Sequence, residues 1–176
     1  MGNKTLVYKQ KVHDNLNESN KHLLRLENAF EALKRSYTFP LTMNDFKVIL
    51  NNTEHLAYSD QIIYRFSKLQ DCMGAKLFKS VLLYEGENVN KPFLDILNQL
   101  EDIDIINVDE WFEIRDLRNE IAQICEDNDE IAISILNTIH KLKIDLKERQ
   151  FCCQIEFLGS RQAVDHNVFA LSNGLI

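Results

Sequence analysis

Apolar side chains recur at steps of three and four residues along most of this 176-residue chain. That spacing places them on one face of an α-helix, whereas a half-buried strand needs alternation at every second residue. Only 5 Gly and 2 Pro interrupt the pattern, so little turn material separates the periodic stretches. No strand-period segment of useful length occurs. The sequence therefore predicts an all-α protein, an antiparallel bundle of five or six helices with short links.

Capping and breaking residues predict the helix boundaries. The long first helix ends before Pro40, since the residue before a proline resists helical geometry. Ser59 is expected to cap the next long helix, which contains Gly74 as a single weak position. Asn107, with Glu110 three residues later, is typical of an N-cap with a partial capping box. Thr42 or Asn44 is expected to cap a short second helix. The other helices expected on this basis start near residues 8, 59, 92, 108 and 129.

Residues 1–157 are expected to form one helical domain, because no linker or internal repeat divides them. Gly159 and Ser160 are then expected to break the last helix, which leaves residues 158–176 as a C-terminal tail. Docking on the bundle, a role in assembly and loose order all fit this weakly periodic tail. No apolar run is long enough to span a bilayer, and the first residues contain no signal-peptide core. We therefore expect a cytoplasmic protein with no membrane contact.

The formal net charge of −7 argues against long-range attraction of nucleic acid, so any RNA contact is expected to be local and weak. Four cysteines are present. No pair has CxxC spacing, and no histidine lies at a zinc-ligand distance from them. Buried, reduced thiols are the expected state. The sequence suggests no metal and no cofactor.

One charged side chain interrupts the apolar face of the helix that follows Asn107. At about 100° per residue, Trp111, Leu117 and Arg118 fall within one arc of that helix. A guanidinium in this position must be paired or must face a polar seam, because burying it alone is costly. The structural interpretation is that Arg118 snorkels out of the core or bridges to an acid. Asp71, on the preceding long helix, is expected on a solvated face.

Residues 64–68 combine basic and aromatic side chains. Phe66 is expected to face the core, with Arg65 and Lys68 at one edge of the apolar stripe. If the two long helices are neighbours, that edge would line a groove beside Arg118, where Arg65, Lys68 and Arg115 could contact RNA or phosphate. The alternative is that the edge charges simply cover apolar surface.

Residues 117–122, preceded by Trp111, together with residues 60–71 and 73–78, resemble the HEPN superfamily. The chain is most similar there to small prokaryotic proteins paired with minimal nucleotidyltransferases in toxin–antitoxin operons. The helix pattern resembles the family over roughly residues 10–150, and the quoted stretches carry the motif. The resemblance implies a helical bundle that dimerises. It also implies a metal-independent ribonuclease site where the motif helices of two subunits meet, and a nucleotidyltransferase-type antitoxin as partner.

The family signature is an arginine, usually followed by a polar residue, with a histidine after four to six intervening positions. This chain has Arg118 and Asn119 but lacks the histidine: the three possible positions are occupied by Gln123, Ile124 and Cys125. Cys125 also stands where many family members have a tyrosine that the partner modifies. A Gln amide can hydrogen-bond a phosphate but cannot exchange a proton at useful pH. We therefore expect ribonuclease activity to be lost or strongly weakened.

Three functions are consistent with these residues. The first is a disarmed HEPN-type component of a toxin–antitoxin or defence module, which forms a homodimer and binds a nucleotidyltransferase. The second is an active metal-independent endoribonuclease that recruits another histidine, such as His140 or one from a second subunit. The third is a helical interaction scaffold without RNA contact, in which Arg118 forms a structural ion pair. The acidic net charge favours the first and third over the second.

Overall fold

A computed structural model describes residues 2–123 and 128–172 of the chain, and the side chains of residues 5–122 and 128–154. The prediction of an all-α bundle is confirmed, since these residues contain helices and no strand. The helices are α1 (Gly2–Lys34), α2 (Met43–Leu50), α3 (Thr53–Cys72), α4 (Phe78–Tyr84), α5 (Phe93–Asp102), α6 (Val108–Gln123) and α7 (Asp129–Ser172). A π-helical turn, Met73–Leu77, joins α3 to α4 without a break.

Side-chain caps start several of these helices. Thr42 forms a reciprocal capping box at the start of α2. The side chain of Asn107 accepts a hydrogen bond from the backbone of Glu110, which confirms the predicted cap of α6. The predicted start of the long helix at Ser59 is wrong. Asn52 caps α3 seven residues earlier, and the Ser59 hydroxyl donates to the carbonyl of His55 within the helix.

The core forms where α1 runs antiparallel to both α3 and α7. Along α1 and α3, Arg25 lies beside Gln61 and His22 beside Arg65, so the two sequence numbers change in opposite directions. Lys147 of α7 bonds Glu27 of α1 and Gln150 bonds Asn20, so α7 is also antiparallel to α1. The apolar faces of these helices are buried against one another. The largest fully buried side chains include Trp111, Phe30, Phe66, Phe78, Leu26 and Leu33.

The last helix continues through the predicted break. Helix α7 runs without interruption past Gly159 and Ser160 to Ser172, so the prediction that these residues end it is wrong. A single glycine costs a helix about 1 kcal/mol relative to alanine and leaves its backbone hydrogen bonds intact. With no proline after it, that cost is too small to end the helix. The side chains of residues 155–176 lie outside the described part.

Of the cysteines expected to be buried, Cys72 and Cys153 are buried and Cys152 is half-buried, and these three form no disulfide with one another. Burial raises the pKa of the Cys72 thiol to about 11. Over the residues described, no helix combines the length and the apolar character that crossing a bilayer requires.

Candidate functional site

A cavity of about 410 Å³ lies where α6 and the first residue of α5 meet the junction between α3 and α4. The π-helical turn contributes to its wall. Such turns widen a helix by one residue and occur often at functional sites. The cavity is lined by Gln70, Asp71, Gly74, Ala75, Lys79, Phe93, Arg115, Arg118 and Asn119.

A two-pronged ion pair joins α6 to α3 beside this cavity. Arg118 donates from Nε to Oδ1 of Asp71 at 3.1 Å and from Nη2 to Oδ2 at 3.3 Å. Parallel bonds of this kind fix the orientation of both groups. The prediction that Arg118 bridges to an acid is confirmed. Asp71, which was expected on a solvated face, keeps 40% of its side chain exposed but is also paired, because α6 packs on α3 and brings the guanidinium onto this carboxylate.

Gly74 allows α6 to approach the π-helical turn closely. A Cβ atom added at Gly74 would lie 3.0 Å from Cζ2 of Trp111, 3.6 Å from Cζ of Phe93 and 3.8 Å from Nε2 of Gln70. Trp111 is held from the other side by the Phe78 ring, whose centroid is 4.6 Å away in an edge-on arrangement. Gly74, which the sequence marked only as a weak position in its helix, is therefore the point at which α6 packs against the cavity wall.

The cavity wall is cationic although the chain as a whole is acidic. Lys79, Arg115 and Arg118 line it, against the single carboxylate of Asp71. The Arg115 guanidinium lies 5.8 Å from the centroid of the Phe93 ring, which holds it at the rim. Asn119 is half-buried and adds an amide donor. This set suits an anionic group such as a phosphate.

Neither histidine nor cysteine is among the lining residues of the cavity in the described part of the chain. Gln123 is the last residue of α6, four positions after Asn119, and its side chain lies outside the described residues, as does Cys125. His140 lies elsewhere, stacked on Phe39 at 4.5 Å and edge-on to Phe30.

Arg65 and Lys68 are not among the residues that line the cavity. The condition for that groove is met, since α3 and α6 are neighbours, and Phe66 is buried as predicted. Arg65, however, faces α1, where its Nη1 lies 3.3 Å from Nδ1 of His22. Lys68 lies one turn from Asp71 with its ammonium 5.9 Å from the centroid of the Tyr64 ring. Of the predicted contact residues, only Arg115 therefore joins Arg118 and Asn119 at the cavity.

Sequence reasoning missed Asp71, Gly74, Lys79 and Phe93 as site residues. The charge of Arg118 within an apolar arc did indicate that an acid had to be near. Several acids precede it in the chain, however, and helix periodicity does not show which one α6 will meet. Lys79 and Phe93 carry no local signal, because they reach the cavity from α4 and α5.

Within residues 5–122 and 128–154, no group of three His, Cys, Asp or Glu side chains is placed to hold a metal ion. Comparisons of the chain with protein-family models, with curated proteins and with solved structures found no match.

Proposed function

We propose that this chain is a HEPN-type component of a prokaryotic toxin–antitoxin or defence module. It acts in the cytoplasm as a homodimer, binds a minimal nucleotidyltransferase partner, and has lost most or all ribonuclease activity. The observation that carries the proposal is the cavity at Arg118 and Asn119, which has cations for a phosphate but no histidine among its described lining residues.

Binding without cleavage follows from the chemistry of these groups. Metal-free RNA cleavage needs one group to accept the 2′-hydroxyl proton and another to protonate the leaving oxygen. Guanidinium and amide groups do neither near neutral pH. The Asp71 carboxylate accepts two bonds from Arg118, which favours its role as an orienting partner for the guanidinium. Without acid–base catalysis, the rate is expected to fall by about 10²–10⁴.

The interaction scaffold is the second candidate, and one observation favours it. The Arg118 guanidinium already donates two hydrogen bonds to Asp71 within the chain, so a phosphate would have to share Arg118 with that carboxylate. Recruitment of His140 has less support, because that imidazole is stacked on Phe39 and packed edge-on against Phe30, and it is not among the residues that line the cavity.

Restoring the family histidine tests the proposal. We expect Gln123→His, expressed without the partner, to arrest growth of a bacterial host and to cleave RNA in EDTA, whereas the wild-type chain does neither. Gln123→Asn is the matched control, and Gln123→His with Arg118→Ala should be silent again. If Gln123→His is folded and inert, the assignment of this site as a disarmed nuclease is wrong.

The partner is tested separately. A minimal nucleotidyltransferase encoded beside this gene, mixed with the chain at equimolar, micromolar concentration, is expected to elute with it as one complex in size-exclusion chromatography. Light scattering of the chain alone is expected to give the mass of a dimer. Separate elution at these concentrations would contradict the partner assignment, whatever the outcome at Gln123.

A further inference from the structure

Two cations of α3 lie over an exposed tyrosine on the face shared by α1 and α3, and α1 adds a histidine and an arginine to this face. We call it the α1–α3 basic patch and define it as His22, Arg25, Tyr64, Arg65 and Lys68. The Arg65 guanidinium lies 4.9 Å from the centroid of the Tyr64 ring, and the Lys68 ammonium lies 5.9 Å from it. Tyr64 is 52% exposed, a large fraction for an aromatic ring on a packed helix.

The cations of the patch lie close enough to act on one another. Burial lowers the pKa of His22, and the charges of Arg65, Arg25 and Lys68 lower it further, while Glu18 opposes them. Gln61 donates to the backbone carbonyl of Arg25 at 3.2 Å, which ties the α1 side of the patch to α3. Both helices therefore present positive charge to the same region of solvent.

The acids of α1 that flank the patch do not neutralise these cations. Both carboxylate oxygens of Glu18 bond Lys76 at 2.8 Å, and Glu27 bonds Lys147 at 2.7 Å. Each of these two carboxylates is therefore paired with a cation outside the patch.

The acids of α3 on either side of the patch are also directed elsewhere. Asp60 lines a different cavity, which α2 and α7 form with α3. Asp71, one turn beyond Lys68, accepts two bonds from Arg118. Among the described residues, the structure records no carboxylate within ion-pair distance of the arginines and the lysine of the patch.

We propose that the α1–α3 basic patch binds single-stranded RNA, with phosphates on Arg25, Arg65 and Lys68 and a base stacked on Tyr64. Cations that follow a backbone, combined with an aromatic ring on which bases stack, are the features of single-strand binding surfaces. An acidic polypeptide would pair with the same cations, but its recognition would not involve the exposed Tyr64 ring.

The patch extends toward the cavity along α3. Arg65 and Asp71 are six residues apart, which is about 9 Å along the helix axis, and Lys68 lies between them. One strand of RNA can therefore contact both the patch and Arg118. This inference rests on the proposed function only for the continuity between the patch and the cavity. The RNA binding itself requires neither a partner nor cleavage.

Fluorescence anisotropy with a 5′-fluorescein-labelled uridine 12-mer at low salt tests the patch. We expect Arg25→Glu with Lys68→Glu to weaken binding at least tenfold and to flatten the dependence of log K on log salt, since each lost phosphate contact lowers the slope by about 0.7. The matched control is Lys47→Glu with Lys141→Glu, which has the same net charge and changes two exposed lysines on α2 and α7. This control is expected to lose much less affinity.

Tyr64 tests the stacking contact. Tyr64→Ala is expected to weaken binding about tenfold, in line with the loss of one base–aromatic stack, whereas Tyr64→Phe should bind like the wild type. Thermal melts establish that each variant is folded.

Four outcomes would overturn the proposal. One is the absence of RNA binding by the wild type. Another is an equal loss of affinity in the patch variant and its matched control. A third is equally effective competition by polyglutamate, which would assign the patch to an acidic polypeptide. The last is loss of binding in Arg118→Ala while the patch variants bind like the wild type. That result would confine RNA to the cavity and leave the proposed function standing.

Discussion

Arg118 shows how much a single ion pair can contribute at a half-exposed position. Its side chain is 34% exposed and that of Asp71 is 40% exposed, so water screens the attraction. Exposed pairs contribute about 0.2–1 kcal/mol, well below the value of a buried pair. The two-pronged geometry places this pair toward the upper end of that range. The pair therefore orients Arg118 at the cavity more than it stabilises the fold.

A double-mutant cycle measures this contribution. We expect Arg118→Ala and Asp71→Ala each to lower the free energy of unfolding by about 1 kcal/mol or less, with a coupling energy of about 0.5–1 kcal/mol that shrinks at high salt. Urea denaturation of the two single variants and the double variant gives the values. A coupling above about 3 kcal/mol would show that the pair behaves as a buried one.

The π-helical turn is the element that gives the cavity its wall. It lies between α3 and α4 at Gly74, where the absence of a side chain lets Trp111 of α6 pack closely. Alanine stabilises a regular helix by about 0.5–1 kcal/mol relative to glycine, but an extra carbon in a well-packed core costs about 1–3 kcal/mol. Because Trp111 is 1% exposed and cannot move aside, the packing cost is the larger effect.

Gly74→Ala is therefore expected to lower the free energy of unfolding by about 1 kcal/mol, which is the packing cost less the helix gain. Chemical denaturation checks this value. Trp111→Phe is the control background, because it removes the Cζ2 atom that the new methyl group would meet at 3.0 Å. Gly74→Ala should be less harmful there. An equal effect in both backgrounds would show that the contact with Trp111 does not limit this position.

At the scale of the whole molecule, two half-buried histidines make the stability of the bundle depend on pH. Burial lowers the pKa of His22 and of His140 below 6.5; the next contribution comes from Arg65 at His22 and from Lys143 at His140. The unfolded chain therefore binds protons at these sites at a higher pH than the folded chain does. Their contribution to stability is fully present above pH 6.5 and is lost as pH falls through the lower folded-state values.

We expect the melting temperature to fall by a few degrees between about pH 7.5 and about pH 5.5, a window that brackets the ordinary histidine pKa of 6.5. His22→Gln and His140→Gln should each make the decline shallower. A steeper decline in either variant would show that these histidines stabilise the folded chain when protonated, which is the opposite of what their lowered pKa values predict.

The helices could be predicted from the chain alone because their causes are local. Apolar spacing and caps such as Thr42 and Asn107 act within one or two turns, so they indicate where most helices start whatever packs against them. Local signals were misleading at Ser59 and Gly159, where a residue typical of a helix end lies inside a longer helix. Two of the three cations of the site, Arg115 and Arg118, could also be predicted, because a charge near an apolar stripe must be paired or reach a polar surface.

Packing between helices settled the rest, because it depends on contacts between residues far apart in the chain. Asp71 and Arg118 are 47 positions apart, and no helix periodicity could have paired them in preference to another acid. The same holds for Arg65, whose direction toward His22 depends on which side of α3 receives α1. Helix formation is a property of short segments, whereas the partner of a charge is set by the way whole helices pack.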